Sequence, residues 1–135
     1  MTDGEYKKQK RRIQKLADRW LPALGLDQWH LDLAYKREGI AASAEDAAEN
    51  WQCNAQARVK WEYQRATLSF NMLSMEDYDD KELERLFVHE CCHALVAEMR
   101  EWGTEAMTKD FADHALKHEE RVVACLTEAF LRKRP

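Results

Sequence analysis

The sequence predicts an α+β domain in which an N-terminal helix, a small three-stranded and mostly antiparallel sheet and two further helices follow one another. Two observations carry this prediction. Apolar residues recur every three or four positions near both ends of the chain, as in helices packed on a core, and every second position in between, as in half-buried strands. A length of 135 residues fits one domain, so we assign residues 1–135 to a single unit.

Composition and charge exclude several classes of protein. The formal net charge of −4 gives no overall attraction to nucleic acid or to an anionic membrane. No run of 18 apolar residues and no N-terminal signal sequence is present, so we expect no membrane partner and a cytoplasmic location. None of the four cysteines is spaced as C-x-x-C, which predicts neither a disulfide framework nor a zinc ribbon.

The first element is an amphipathic helix from Gly4 to Leu24. Its apolar stripe predicts the core-facing side and consists of Ile13, Leu16, Trp20 and Leu24. The opposite face is basic, with five cationic residues between Lys7 and Arg12. Such a run is usually a solvated helix face, and contact with nucleic-acid phosphates is the alternative.

Three strands are predicted next, because the apolar period changes to two. The first strand runs from Trp29 to Tyr35, and residues 37–50 form a loop or short helical turn. Alternation from Cys53 to Glu62 predicts a second strand with one wet face. After a turn at 63–65, a third strand points Ala66, Leu68, Phe70 and Met72 inward, so that the last two strands form an antiparallel hairpin. The sheet edge either binds an extended peptide or is blunted.

The motif that carries chemistry is His89-Glu90-Cys91-Cys92-His93, within an apolar run that is compatible with a helix. Residues four apart lie one turn above each other on a helix, so His89 and His93 can bind one ion. Imidazole nitrogens suit Zn²⁺, and a catalytic zinc site needs three protein ligands and an open position. Glu90 can then act as the general base. We expect this helix to begin near Asp79 or Asp80 and to end at Gly103.

The cysteines inside the motif, Cys91 and Cys92, point away from the histidine strip on an intact helix. This position favours packing residues over metal ligands. A nucleophilic cysteine with His89 or His93 as its base stays open, but it would leave the histidine spacing without a purpose.

A third metal ligand is expected from the C-terminal helix, whose apolar face contains Val122, Val123 and Leu126. At 100° per residue, Glu119 lies about 40° from the middle of that face, His118 about 60° and Glu120 about 140°. Glu119 is therefore the preferred ligand, with His118 and Glu120 as alternatives. Because a straight antiparallel return would overshoot the motif, we expect a loop, a short helix or a strongly angled approach over residues 104–109, with Asp110 or Asp113 as a possible cap.

The order of these elements, with Ala66-Thr67-Leu68-Ser69-Phe70 before the His89-Glu90-Cys91-Cys92-His93 helix and Glu119 after it, resembles the minimal zincin metallopeptidases. It most resembles small phage and bacterial proteins related to the SprT-like and ImmA-type groups. The resemblance implies a zincin-like fold, a zinc-dependent peptidase acting on a peptide or protein, and Glu119 as the downstream ligand of the gluzincin-like branch. The His-Gly ligand site of the SprT-like pattern is absent.

The mechanism expected from these residues is peptide hydrolysis by a zinc-activated water with Glu90 as base. Candidates for stabilising the oxyanion are His118, His114, Tyr78 and Arg121. Two other functions stay open: a non-catalytic binding or regulatory module stabilised by zinc, and a nucleic-acid-associated factor that binds through the basic N-terminal helix.

Overall fold

The computed structural model describes residues 1–37, 54–105 and 109–135, and only the backbone of 99–105, 109–113 and 115–116. The described chain is α+β, with three α-helices and a three-stranded mixed sheet, and this confirms the predicted class. The elements are, in order, α1 (Asp3–Ala23), β1 (His30–Lys36), β2 (Ala55–Lys60), β3 (Arg65–Asn71), α2 (Asp80–Glu105) and α3 (Lys109–Arg132).

Helix α1 lies within one residue of its predicted bounds. It begins with a capping box, in which Thr2 and Glu5 each accept a hydrogen bond from the other's backbone N–H. Its apolar stripe is buried at Ile13 and Trp20, which packs the helix onto the core. After the helix, Gly25 adopts a φ of 71°, a left-handed conformation that glycine takes at no steric cost.

The sheet has the strand order β1-β3-β2. The predicted hairpin is confirmed, because β2 pairs antiparallel with β3 in a register that sets Ala57 opposite Leu68. The expectation of a mostly antiparallel sheet is wrong for the other pair, since β1 runs parallel to β3. More than two dozen residues separate β1 from β3, which is long enough for the crossover that parallel strands require.

The strand bounds differ slightly from the sequence pattern. Strand β1 is shifted by one residue, and β2 ends at Lys60 because Trp61–Tyr63 form a 3₁₀ turn. Gln64 follows in the left-handed region at a φ of 49° and closes this hairpin connection. Cys53 and the loop expected at 37–50 lie outside the described residues, except for Arg37. The four residues predicted to point inward from β3 are all buried: Ala66, Leu68, Phe70 and Met72.

Helix α2 packs across the sheet and carries the motif. Phe87 stacks on Phe70 of β3 with ring centroids 6.0 Å apart, which fixes the helix against the core. The helix continues through Gly103 to Glu105, so the predicted end at Gly103 is wrong. A helical glycine costs only about 1 kcal/mol relative to alanine, which the remaining helix contacts can offset.

Helices α2 and α3 form the most extensive contact between any two elements of the described chain. From His93 to Glu105 the helix rises about 18 Å, and from Lys109 to Glu119 it rises about 15 Å, so the two paths nearly match. The overshoot expected from sequence disappears because α2 is longer than predicted and α3 begins only at Lys109. Residues 104 and 105 are helical, 106–108 lie outside the described residues, and Asp110 and Asp113 lie inside α3 and do not cap it.

Both motif cysteines lie in the core, as their position on the helix predicts. Cys91 and Cys92 are fully buried, and burial raises the pKa of both thiols. A thiol with a raised pKa is a poor nucleophile, so this environment opposes a cysteine-based mechanism. Within the described parts of the chain, no helix combines the length and apolar character needed to cross a membrane.

Candidate metal centre

His89 and His93 lie one turn apart on α2. Their ring centroids are 5.0 Å apart and the ring planes meet at 75°. The side chains retain 27 % and 15 % of their exposure, so both reach the rim of the core and neither is sealed inside it. Because this geometry belongs to a single unbroken helix, the spacing in the sequence was enough to predict it.

Helix α3 brings two adjacent carboxylates to these rings. Glu119 Oε1 lies 3.0 Å from Nδ1 of His93. Glu120 Oε1 lies 3.2 Å from Nε2 of His93, and its Oε2 lies 3.4 Å from Nε2 of His89. His93 is thus held between the two carboxylates, one on each ring nitrogen, and Glu120 bridges the Nε2 atoms of both histidines.

The helical-wheel argument predicted the relative burial of Glu119 and Glu120 correctly. It did not predict which of the two would contact both histidines. Glu119 is buried and Glu120 is exposed, as their predicted angles indicate, although the predicted apolar face is wrong at Val122, which is exposed. The histidines, however, lie at the solvent-facing rim of the helix pair, where an exposed side chain of α3 can reach them. His118, the other alternative ligand, is exposed and does not belong to this group.

His89, His93 and Glu120 form a group that could hold a metal ion, because one donor atom from each lies within 4.8 Å of the others. Two ligands of a tetrahedral zinc ion with bonds of about 2.0 to 2.1 Å lie roughly 3.3 Å apart. The Glu120 distances of 3.2 and 3.4 Å match that value. They exceed the range of about 2.7 to 2.9 Å that is usual for a charge-assisted hydrogen bond. Two of the three donor pairs are therefore spaced as the ligands of one small cation would be.

The surroundings shift the pKa values of His89 and His93 in opposite directions. Burial and the neighbouring His93 lower the pKa of His89, although Glu120 opposes this shift. Burial also tends to lower the pKa of His93, but the hydrogen bond with Glu119 and the charges of Glu90 and Glu120 raise it overall. A proton on Nδ1 that is donated to Glu119 leaves Nε2 of the neutral ring free to bind a cation.

Glu90 lies beside this group and faces β2. The carboxyl is only 6 % exposed, and burial, followed by the negative charge of Glu120, raises its pKa to about 7 against the opposing effect of His93. The backbone N–H of Ala57 on β2 donates a hydrogen bond to it. A carboxyl with this pKa can accept and release a proton near neutral pH.

A cleft of about 440 Å³ opens beside the motif and is referred to below as the motif cleft. In it, the Tyr78 hydroxyl accepts a hydrogen bond of 2.6 Å from Nδ2 of Asn54, so its own proton is free to point into the cleft. Arg85 is held by an ion pair with Glu128. The cleft is lined by Asn54, Ala55, Tyr78, Glu82, Arg85, Leu86, His89 and Glu90.

Among the predicted oxyanion-stabilising residues, the structure brings only Tyr78 to the motif cleft. His114, His118 and Arg121 are exposed on α3, and the two histidines face each other with ring centroids 6.3 Å apart. Asn54, which orients Tyr78, was not singled out from the sequence. No local pattern marks it, because its partner is 24 residues away.

Comparison with known proteins adds no relative to this picture. The chain matches no protein-family model, no curated protein and no solved structure.

Proposed function

We propose that the protein is a zinc-dependent metallopeptidase with a zincin-like arrangement of the motif helix, the sheet and the C-terminal helix. The observation that supports this proposal best is the convergence of His89, His93 and Glu120, with an acidic side chain, Glu90, next to the group but outside it. Three protein ligands and a nearby base are the parts that a hydrolytic zinc site needs.

In this proposal Glu120 completes the ligand set and Glu119 is a positioning residue. Glu120 faces both Nε2 atoms, whereas Glu119 contacts the far side of the His93 ring. A carboxylate on the second nitrogen of a ligating histidine fixes its tautomer and its orientation. This revises the preference for Glu119 as ligand and keeps Glu119 in the same centre with a different role.

Zinc bound to these residues would supply Lewis-acid activation of a water molecule and of the scissile carbonyl. Glu90 accepts the proton of the attacking water and passes it to the leaving amine. Tyr78 donates a hydrogen bond from its hydroxyl to the carbonyl oxygen as negative charge develops there. The backbone N–H of Ala57 keeps the Glu90 carboxyl oriented from the other side.

Metal content and peptide cleavage, measured on the same samples, test this function. Purified wild-type protein is expected to contain about one zinc per chain and to cleave peptides from a mixed library, with loss of activity on chelation and recovery on adding zinc. His89→Ala should lose both zinc and activity, and His114→Ala, which changes an exposed histidine outside the group, should retain both. A wild-type protein that takes up no zinc would overturn the proposal.

The basic face of α1 gives limited support to the nucleic-acid alternative. Arg12 at the end of this run pairs with Asp80, so part of the charge joins α1 to α2. Loss of binding on removing the charges of Lys7 and Lys8, with a steep salt dependence, would support a nucleic-acid function. A wild-type protein that holds zinc but cleaves no peptide would support the non-catalytic module.

A further inference from the structure

A second groove opens at the other end of the contact between β2 and α2. Its volume is about 440 Å³, and it lies between the 3₁₀ turn of the hairpin, the residue before β1 and the middle of α2. We call it the hairpin groove. It is lined by Trp29, Trp61, Glu62, Tyr63, Gln64, Ala94, Leu95 and Glu98.

The lining of the hairpin groove combines aromatic rings with negative charge. Trp29, Trp61 and Tyr63 supply three rings, and Glu62 and Glu98 supply two carboxylates, and none of the described lining residues is a lysine or an arginine. Within the described residues, neither carboxylate takes part in an ion pair. Tyr63 is 72 % exposed, which is unusual for so large an apolar surface. The nearby cations of the sheet, Arg58, Lys60 and Arg65, line a different groove.

This composition is complementary to one type of side chain. A guanidinium or ammonium group is attracted to the faces of Trp and Tyr rings, and carboxylates at the same place add a charge of the correct sign. The apolar stem of arginine or lysine covers aromatic surface while the head group stays near the rim. An uncharged apolar side chain would leave Glu62 and Glu98 without a partner, and an acidic one would be repelled.

The hairpin groove lies within reach of the metal centre along two elements. On α2, Ala94 and Glu98 follow Glu90 by one and two turns, which corresponds to about 6 and 12 Å. Along the hairpin, Trp61 at the start of the 3₁₀ turn lies four residues after Ala57 of β2, whose N–H reaches Glu90, which corresponds to at most about 13 Å. An extended peptide advances about 3.3 Å per residue, so the groove lies two to four residues from a bond held at Glu90.

We propose that the hairpin groove binds a lysine or arginine side chain of the peptide substrate, two to four residues from the bond that is cleaved. This inference rests on the proposed peptidase function, since it takes the occupant to be part of the same substrate. The hairpin groove would give the protein a preference for basic peptides. The metal centre by itself does not select among the side chains of a substrate.

The test uses peptides of one neutral scaffold in which a single arginine, or the isosteric neutral residue citrulline, is moved through four positions on either side of the cleaved bond. Wild-type protein is expected to prefer the arginine peptide by about tenfold in kcat/KM at one or more positions two to four residues away. The variant with Glu62→Gln and Glu98→Gln should reduce this ratio to within about twofold. Tyr63→Ala, at an exposed position, should reduce it in the same direction.

Asp18→Asn is the matched control, because it removes one exposed carboxylate of α1 that lines neither cleft. It should leave the preference for arginine unchanged. Equal cleavage of arginine and citrulline peptides by wild-type protein, or a preference that survives in the double variant, would overturn the inference.

Direct binding separates this inference from the peptidase proposal. Fluorescence anisotropy of the same labelled peptides gives their affinities for the wild-type protein and for Glu90→Gln without a need for turnover. A tighter Kd for arginine peptides that depends on Glu62 and Glu98 supports the groove even if no peptide is cleaved, in which case only the peptidase proposal fails. Equal affinities in wild type and double variant overturn the groove even if cleavage is efficient.

Discussion

Among the described side chains of helix α2, two carboxyl groups are buried, Glu84 and Glu90, which are 5 % and 6 % exposed and have opposite environments. Glu84 lies among cations: it pairs with Arg19 and accepts hydrogen bonds from Nε of Arg134 at 2.8 Å and from Nε1 of Trp20 at 2.9 Å. Burial opposes its ionisation, but the hydrogen bonds from Arg134 and Trp20 and the charge of Arg19 lower its pKa overall.

Glu90 lacks such compensation. Burial raises its pKa to about 7, the charge of Glu120 acts in the same direction, and only His93 and one backbone N–H oppose them. The same residue type, with a similar exposed fraction on the same helix, therefore has a lowered pKa at Glu84 and a raised pKa at Glu90. Low exposure alone does not distinguish these two carboxyl groups, whereas the presence or absence of a matching set of cations and donors does.

The largest effect expected from this difference is on activity in Glu90→Gln. Loss of the base should lower kcat/KM by about three orders of magnitude, because an amide cannot accept the proton of water. Zinc content should stay at the wild-type level, since Glu90 is outside the ligand group. The free energy of unfolding, measured by urea titration with a chelator present, should not fall, because the substitution removes a buried carboxyl whose charged form is disfavoured.

Glu84→Gln is the matched comparison for this experiment, with the same chemical change six residues earlier on the helix. It should retain activity per folded molecule and lose stability. If both variants lost activity to the same extent, the distinction between the anchoring and the catalytic carboxyl would be wrong.

A smaller effect, on zinc affinity, should separate the two adjacent carboxylates of α3. Removing a direct ligand in Glu120→Ala should weaken zinc binding by more than about 100-fold. Removing the partner of His93 Nδ1 in Glu119→Ala should weaken it by roughly 10-fold to 100-fold. Competition with a chromophoric chelator measures both values.

The ¹⁵N shifts of the His93 ring add a second readout for this pair. In zinc-loaded Glu119→Ala, the Nδ1–H should lose the signature of a hydrogen bond to a carboxylate. Stronger loss of zinc from Glu119→Ala than from Glu120→Ala would reverse the two roles and restore Glu119 as the ligand.

Local spacing predicted the parts of this molecule that lie within one element. The relation between His89 and His93 is internal to α2, and the inward set of β3 is internal to a strand, so periodicity was sufficient for both. The direction of β1 was not predictable, because alternating residues look the same in a parallel and an antiparallel strand. The end of α2 beyond Gly103 was not predictable from a capping rule, because a glycine can also be accommodated within a helix.

The candidate metal centre also shows that spacing within one element does not predict contacts between two elements. A wheel drawn on α3 gives the angle between Glu119 and Glu120, but it does not give the rotation of α3 relative to α2, which decides which carboxylate meets which ring nitrogen. Tyr78 could be suggested from the sequence only as one of four candidates. Its contact with Asn54 joins the chain before β2 to the turn before α2, and such pairings arise only from the tertiary fold.

The smallest expected effect concerns stability and its pH dependence at Glu84. Glu84→Gln should lower the free energy of unfolding by about 1 to 3 kcal/mol near neutral pH, since Arg19, Arg134 and Trp20 lose a charged acceptor. Urea titration measures this value. Glu76→Gln, at an exposed position, is the control and should change stability by less than about 0.5 kcal/mol.

The sign of the pH dependence follows from the lowered pKa of Glu84. In the unfolded chain this carboxyl titrates near its ordinary value of 4.5, and in the folded protein it titrates lower, so unfolding takes up a proton between the two values. The stability difference between wild type and Glu84→Gln should be complete above the unfolded value and should shrink as the pH falls through the folded one. If the difference in the free energy of unfolding stayed constant to pH values below both the folded and the unfolded pKa of Glu84, Glu84 would act through packing and not through its charge. The electrostatic contrast between Glu84 and Glu90 would then be wrong.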